Sequence, residues 1–278
     1  MEQVSPAQFH VKRKPMKTLL NWKVFFNLWL ASILATLAVL PYTLELEAGL
    51  LSEIELRVPL PTLIALQTAQ SGLLFAILIF IGMILMKRIG LSTPILDSVT
   101  QAKLASDKLR AILPISIALG VLASFLIIGL DLYVFQPALL HELGDLANGL
   151  NLQTSQPAAW KGFLASFYGG IAEEVLLRLF VMSLLAWLGS FISQTSERKP
   201  TSAVFWIANI LAAILFGLGH LPATATILPL TPLVITRALV LNGLGGIAFG
   251  YLYWKRGLES AMIAHFSADI VLHVLLAL

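Results

Sequence analysis

The residues of this chain that could do chemistry are Glu173, Glu174, Arg178, His220, Arg237, His265, Asp269 and His273, all set in apolar sequence from residue 158 onward. A charge at bilayer depth costs on the order of 2.5–3.5 kcal/mol on insertion scales, so a cluster of acids and histidines there marks function before structure. Glu174 and Arg178 stand at i and i+4 and share one helix face, where they neutralise each other. Glu173 lies about 100° round the helix, on another face. It has no partner in its own segment, which leaves it as a general base, a metal ligand or a mate for Arg237.

His220 follows Phe216-Gly217-Leu218-Gly219, whose glycines loosen the helix and let another backbone approach. His265 and Asp269 are again i and i+4, and His273 continues that face toward the chain end, where its reading is structural. Such a face can bind a metal, polarise a carbonyl, or orient an imidazole through a carboxylate.

The elements that must position these groups are membrane helices. Of 278 residues, 58% are hydrophobic and 12% charged, against about 25% charged in a soluble domain. Apolar runs cover 24–40, 62–86, 111–135, 158–192, 203–221, 230–254 and 258–278. Backbone groups in lipid must bond within their own segment, so each run is helical. The fold class expected is all-α, a polytopic membrane protein of seven to eight transmembrane helices with its site inside the bundle. The run 158–192 is too long for one straight helix and is expected to tilt or re-enter around Gly169-Gly170. The organisation read from these runs is a basic cytoplasmic tail, 1–23; a three-helix membrane region, 24–135; a polar loop, 136–157; and a site-bearing membrane domain, 158–278.

Loop charge sets the orientation. Lys12, Arg13, Lys14 and Lys17 precede the first run, and basic residues recur in 87–110, 193–202 and 255–257. Acids dominate 41–61 and 136–157, so the N-terminus is expected in the cytoplasm and the first helix is expected to be retained. A net charge of +3 in such loops reports orientation and not nucleic-acid binding. With no cysteine, thiolate metal sites, disulfides and a cysteine nucleophile are excluded.

In this order E-E-x-x-x-R, F-x-x-x-H and H-x-x-x-D, over roughly 158–278, resemble the CPBP family of type II CAAX prenyl endopeptidases and bacterial Abi proteins. The resemblance implies an all-helical intramembrane endopeptidase acting on a membrane-associated peptide or protein substrate, in the cytoplasmic membrane of a bacterium, with no nucleic acid involved. It makes Glu173, His220, His265 and Asp269 catalytic, and Glu174 with Arg178 structural support. Asp269 stands where the eukaryotic members carry asparagine. Two mechanisms follow. In the metal-free one, which the resemblance favours, Glu173 and His220 hold and deprotonate water, His265 donates to the oxyanion and Asp269 fixes its tautomer. In the alternative the same residues bind zinc.

Other motifs fail. His141-Glu142 lacks the second histidine of a zinc helix, since Asp145 replaces it; Gly90-Leu91-Ser92 has no histidine near; and no G-x-G-D is present. The rival classes are a non-enzymatic Abi or immunity-type membrane protein whose ions only hold helices together, and a transporter, which should show two matching halves and does not. One difficulty is depth. Counting from the same membrane face, His220 lies 18 residues into its helix, roughly 27 Å, but His265 only 8, roughly 12 Å.

Overall fold

A computed structural model describes residues 20–53, 57–144 and 157–278. The basic residues Lys12 to Lys17, Glu55 and Asp145 lie outside the described residues. The helices are α1 (Trp22–Ala38), α2 (Leu40–Leu46), α3 (Ala48–Glu53), α4 (Leu60–Arg88), α5 (Pro94–Val99), α6 (Ser106–Leu143, with a π-turn at Asp131–Phe135) and α7. The last of these covers 159–189 as Ala159–Phe167, two π-turns (Tyr168–Glu173 and Val175–Met182) and Ser183–Gly189. Then come α8 (Ser202–Gly219), α9 (Leu221–Ala225), α10 (Pro232–Arg256) and α11 (Leu258–Asp269), which continues into a π-turn at Ile270–Val274. No named strand occurs among the described residues.

Among the described residues six helices are long and apolar enough to cross a membrane: Trp22–Leu46, Leu60–Arg88, Ser106–Leu143, Ser202–Ala225, Pro232–Arg256 and Leu258–Ala277. The expected count of seven to eight is therefore not reached on length and apolarity alone. Among the described residues α7 is a seventh long helix, and unlike the apolar six it carries Glu173, Glu174 and Arg178 within its span. The chain is an integral multi-pass membrane protein.

Local chemistry explains the breaks. Pro41 sits in the first turn of α2 and separates it from α1, because proline cannot donate back into the preceding turn. Thr231 caps α10, accepting from the Val234 amide, with Pro232 at the first helical position. Gly257, at φ 97°, ends α10 and reverses the chain into α11. Residues 136–143, expected at the start of a loop, continue α6 as helix.

Without water between helices, packing relies on small residues and polar contacts. A Cβ at Gly120 of α6 would strike the Ala264 carbonyl of α11, and Ser116 bonds Ser260 between the same two helices at 2.7 Å. α7 packs on α4, α1 and α8, and α10 packs on α8, α11 and α6, so helices from before and after residue 158 interleave. The outer faces carry exposed Leu73, Phe125 and Ile207, as lipid contact requires.

The two ends of the bundle differ. Lys199 Nζ bonds the Arg88 carbonyl at 3.3 Å, Leu258 N bonds the Ser92 carbonyl at 3.2 Å, and Arg256 reaches the Ala111 carbonyl. The 87–110, 193–202 and 255–257 segments thus share one basic end. At the other end Lys161 of α7 pairs with Glu45 of α2 at 2.6 Å.

Candidate active site

α7 and α11 run side by side in opposite directions, and their acids and histidine meet between them. Glu174 Oε1 lies 2.8 Å from His265 Nδ1 and 3.1 Å from Arg178 Nη1, so one oxygen serves both bases. Glu174 and Arg178 are almost wholly buried, at 0% and 1% exposure. On the other edge of the ring, Glu173 Oε2 and Asp269 Oδ1 each lie 3.6 Å from His265 Nε2. Three acids share this space with one guanidinium and one imidazole.

The adjacent glutamates therefore do not face different neighbours. They take opposite nitrogens of one imidazole. Two features of α7 permit this. The π-turn Tyr168–Glu173 ends at the first glutamate and widens the helix there, a device that recurs at functional sites. Gly169 lies in the same turn, where a Cβ would collide with the Asp269 carboxylate and come within 3.0 Å of His265 Nε2. The absent side chain is the space the cluster occupies.

Aromatic rings wall the ions from lipid. Phe249 of α10 stacks on His265 with centroids 4.5 Å apart, and Phe216 of α8 meets it edge-on at 5.5 Å. The Arg178 guanidinium lies 5.1 Å from the Phe216 centroid and 5.6 Å from that of Phe249, and donates to the Gly246 carbonyl at 2.9 Å. These are favourable contacts for a desolvated cation.

His220 caps the C-terminus of α8 beyond this cluster. Its Nδ1 bonds the Phe216 carbonyl at 2.8 Å, and its ring meets Phe216 edge-on with centroids 4.7 Å apart. A carbonyl only accepts, so Nδ1 carries the proton and Nε2 of the neutral ring is an acceptor. Phe216 therefore touches both histidines and bridges the depth gap between them. Helical side chains point back toward the N-terminus, which draws Phe216 down to His265 and His220 down to Phe216. His220 also lines a cavity of about 260 Å³ with Thr43, Thr224, Arg237 and Asn242.

The remaining sequence candidates fall elsewhere. Arg237 is not paired with Glu173; it makes a two-pronged bond to Asp131, Nε to Oδ1 at 2.6 Å and Nη2 to Oδ2 at 2.8 Å. Sequence reasoning missed Asp131, although an acid near the end of an apolar run was the available signal. His273 pairs with Tyr42. His141 is exposed on α6, and Gly90 forms a turn at φ 84°. Asp269, expected to fix the His265 ring, stands 3.6 Å from Nε2, while Glu174 is the nearer carboxylate, at 2.8 Å from Nδ1.

Among the described residues no group of three or more His, Asp or Glu side chains is arranged to hold a metal ion. His265 Nδ1 is already engaged by Glu174, and Phe216 stands between the two histidines.

The comparisons bear on the same stretch. The model of the family described as Type II CAAX prenyl endopeptidase Rce1-like matches residues 155–271, which hold all three motifs. No curated protein and no solved structure matches the chain.

Proposed function

With residues 155–271 matched as an Rce1-like type II CAAX prenyl endopeptidase domain of the CPBP family, we propose that this protein is an intramembrane endopeptidase that hydrolyses a peptide bond with a glutamate-activated water. What carries the reading is the meeting of Glu173, Glu174 and Asp269 on the two edges of His265, between two helices of an otherwise largely apolar bundle. A purely structural network would need only the Glu174–Arg178 pair and one acid for the imidazole. The third acid at Nε2 adds cost without neutralising a further base.

In this mechanism the roles follow from the contacts. Glu174, held by Arg178, accepts from His265 Nδ1–H and fixes the ring. Donation to an oxyanion from Nε2 then uses the doubly protonated ring, whose Nε2–H points at the Glu173 and Asp269 side. Glu173, the glutamate not committed to Arg178, takes a proton from water as the water oxygen bonds the scissile carbonyl carbon. The carbonyl electron pair moves to oxygen, where an imidazolium donor of this type contributes roughly 10²–10³ in rate. When the tetrahedral centre collapses, the C–N bond breaks and the Glu173 proton passes to the leaving nitrogen. His220, with Nε2 as acceptor, steadies the water from the side of the cavity. Asp269 holds the position of the imidazolium.

The substrate is a membrane-associated peptide or protein, and the cavity beside His220 is its approach. The test is cleavage of a membrane-anchored reporter by the purified protein. Cleavage that is lost in Glu173→Gln supports the reading, and cleavage that persists there overturns it.

A further inference from the structure

Tyr42 reaches the site region from outside the matched domain. Its hydroxyl and His273 Nδ1 share a hydrogen bond at 3.1 Å, and the rings meet edge-on with centroids 5.5 Å apart. Tyr42 belongs to α2, and His273 lies just past residue 271, so neither is among the family-matched residues. α2 is tied to this end of the bundle a second time, by Glu45 on Lys161 at 2.6 Å.

His265, Asp269 and His273 follow at four-residue steps. In a straight α-helix eight residues turn through about 800°, which would leave His273 about 80° away from the face of His265. The segment is not straight. Ile270–Val274 is a π-turn, whose wider ring rotates less per residue and brings His273 back toward that face. Gly162 of α7 receives the turn, since a Cβ there would strike the His273 carbonyl. The segment 265–273 is thus pinned at both ends, by Glu174 on His265 and by Tyr42 on His273, with Asp269 between the pins and seated against Gly169.

We propose that Tyr42 is a positioning residue of the site: through its bond to His273 it holds the π-turn, and the π-turn holds Asp269 against His265 Nε2. The kinetic part of this inference rests on the proteolytic reading, but its structural part does not.

The experiment is nitrogen-15 histidine spectroscopy of the full chain in detergent, with cleavage kinetics on the same samples. Five histidines make assignment by substitution practical. Tyr42→Phe keeps the ring contact and removes only the hydroxyl. It is expected to move the imidazole signals of His273 and also of His265, and to lower kcat about tenfold with KM unchanged, as a displaced catalytic group does. His273→Asn should displace the His265 signal in the same way. A His265 signal that stays in place in both variants overturns the proposal, as does an unchanged kcat in Tyr42→Phe. If the wild-type protein cleaves nothing, the proteolytic reading fails, and the His265 signal still decides whether Tyr42 positions the cluster.

Discussion

Glu174 Oε1 lies 2.8 Å from His265 Nδ1 and is the same oxygen that meets Arg178. The acid expected to be only a structural mate of Arg178 therefore also orients the imidazole. Glu174→Gln leaves a buried guanidinium without its counter-charge, a loss of about 3–5 kcal/mol for a broken buried pair. It also removes the negative charge that holds His265 Nδ1. The expected outcome is reduced yield and a lowered melting temperature together with lost cleavage. A double variant, Glu174→Gln with Arg178→Met, should recover most of the thermal stability and none of the activity. Thermal unfolding in detergent and reporter cleavage read the two effects separately.

Gly169 tests the packing that lets the cluster form. Gly169→Ala places a methyl where the Asp269 carboxylate and His265 Nε2 lie, so one of them must move. A displacement of this size costs on the order of 10²-fold in rate. Gly129→Ala, where nothing lies within 4 Å of the added Cβ, is the control and should cleave as the wild type does. Equal activity in the two variants would show that the carboxylate–imidazole geometry does not limit turnover.

Asp269 and the metal question are settled by one set of assays. Asp269 Oδ1 stands 3.6 Å from His265 Nε2, while Glu174 Oε1 lies 2.8 Å from Nδ1, so an uncharged oxygen at position 269 is expected to suffice. Asparagine can accept from the imidazole and also donate to an oxyanion. Asp269→Asn is expected to keep activity within about tenfold of wild type, less than the loss of a general base. Both proteins are expected to be insensitive to chelator. Activity removed by chelator and restored by zinc would reverse this assignment.

Much of this arrangement was legible in the sequence. Helical class, the alternation of basic and acidic loops, and the three motif segments all follow from apolar runs and i, i+4 spacing. The Glu174–Arg178 pair was also readable, because its geometry is local. What was not readable depends on departures from a regular helix. The π-turns at Tyr168–Glu173 and Ile270–Val274 change the rotation per residue, and no residue type encodes them directly. The angular estimate for Glu173 therefore placed it on a separate face, when it shares His265 with its neighbour. Tyr42 was unreadable for a different reason. A tyrosine near a helix break carries no mark of a histidine 231 residues away. Arg237 was given the wrong candidate partner because Asp131 closes an otherwise apolar run and was not weighed as a buried acid.

Orientation gives a fourth prediction. The basic segments share one end of the bundle, and the positive-inside rule places that end in the cytoplasm. Because the chain has no cysteine, single cysteines report without background. Glu142→Cys, exposed at the far end of α6, should react with a membrane-impermeant maleimide in intact cells. Ser196→Cys, exposed in the turn between α7 and α8, should react only after lysis. The reverse pattern would invert the topology, and with it the side from which the His220 cavity is reached.

If Glu173 activates the water that cleaves a peptide bond inside this bundle, removing its charge stops turnover and spares the fold. The direct measurement is mass-spectrometric detection of cleavage of a membrane-anchored peptide in proteoliposomes, comparing wild type with Glu173→Gln. Its carboxylate is 21% exposed, so the amide fits with little effect on folding, and the melting temperature should stay close to that of the wild type. Loss of a general base lowers the rate by roughly 10²–10⁴. A single defined product is expected from the wild type, and a loss of at least the lower figure in the folded variant. A folded Glu173→Gln protein that releases the same product at the wild-type rate would contradict this role of Glu173.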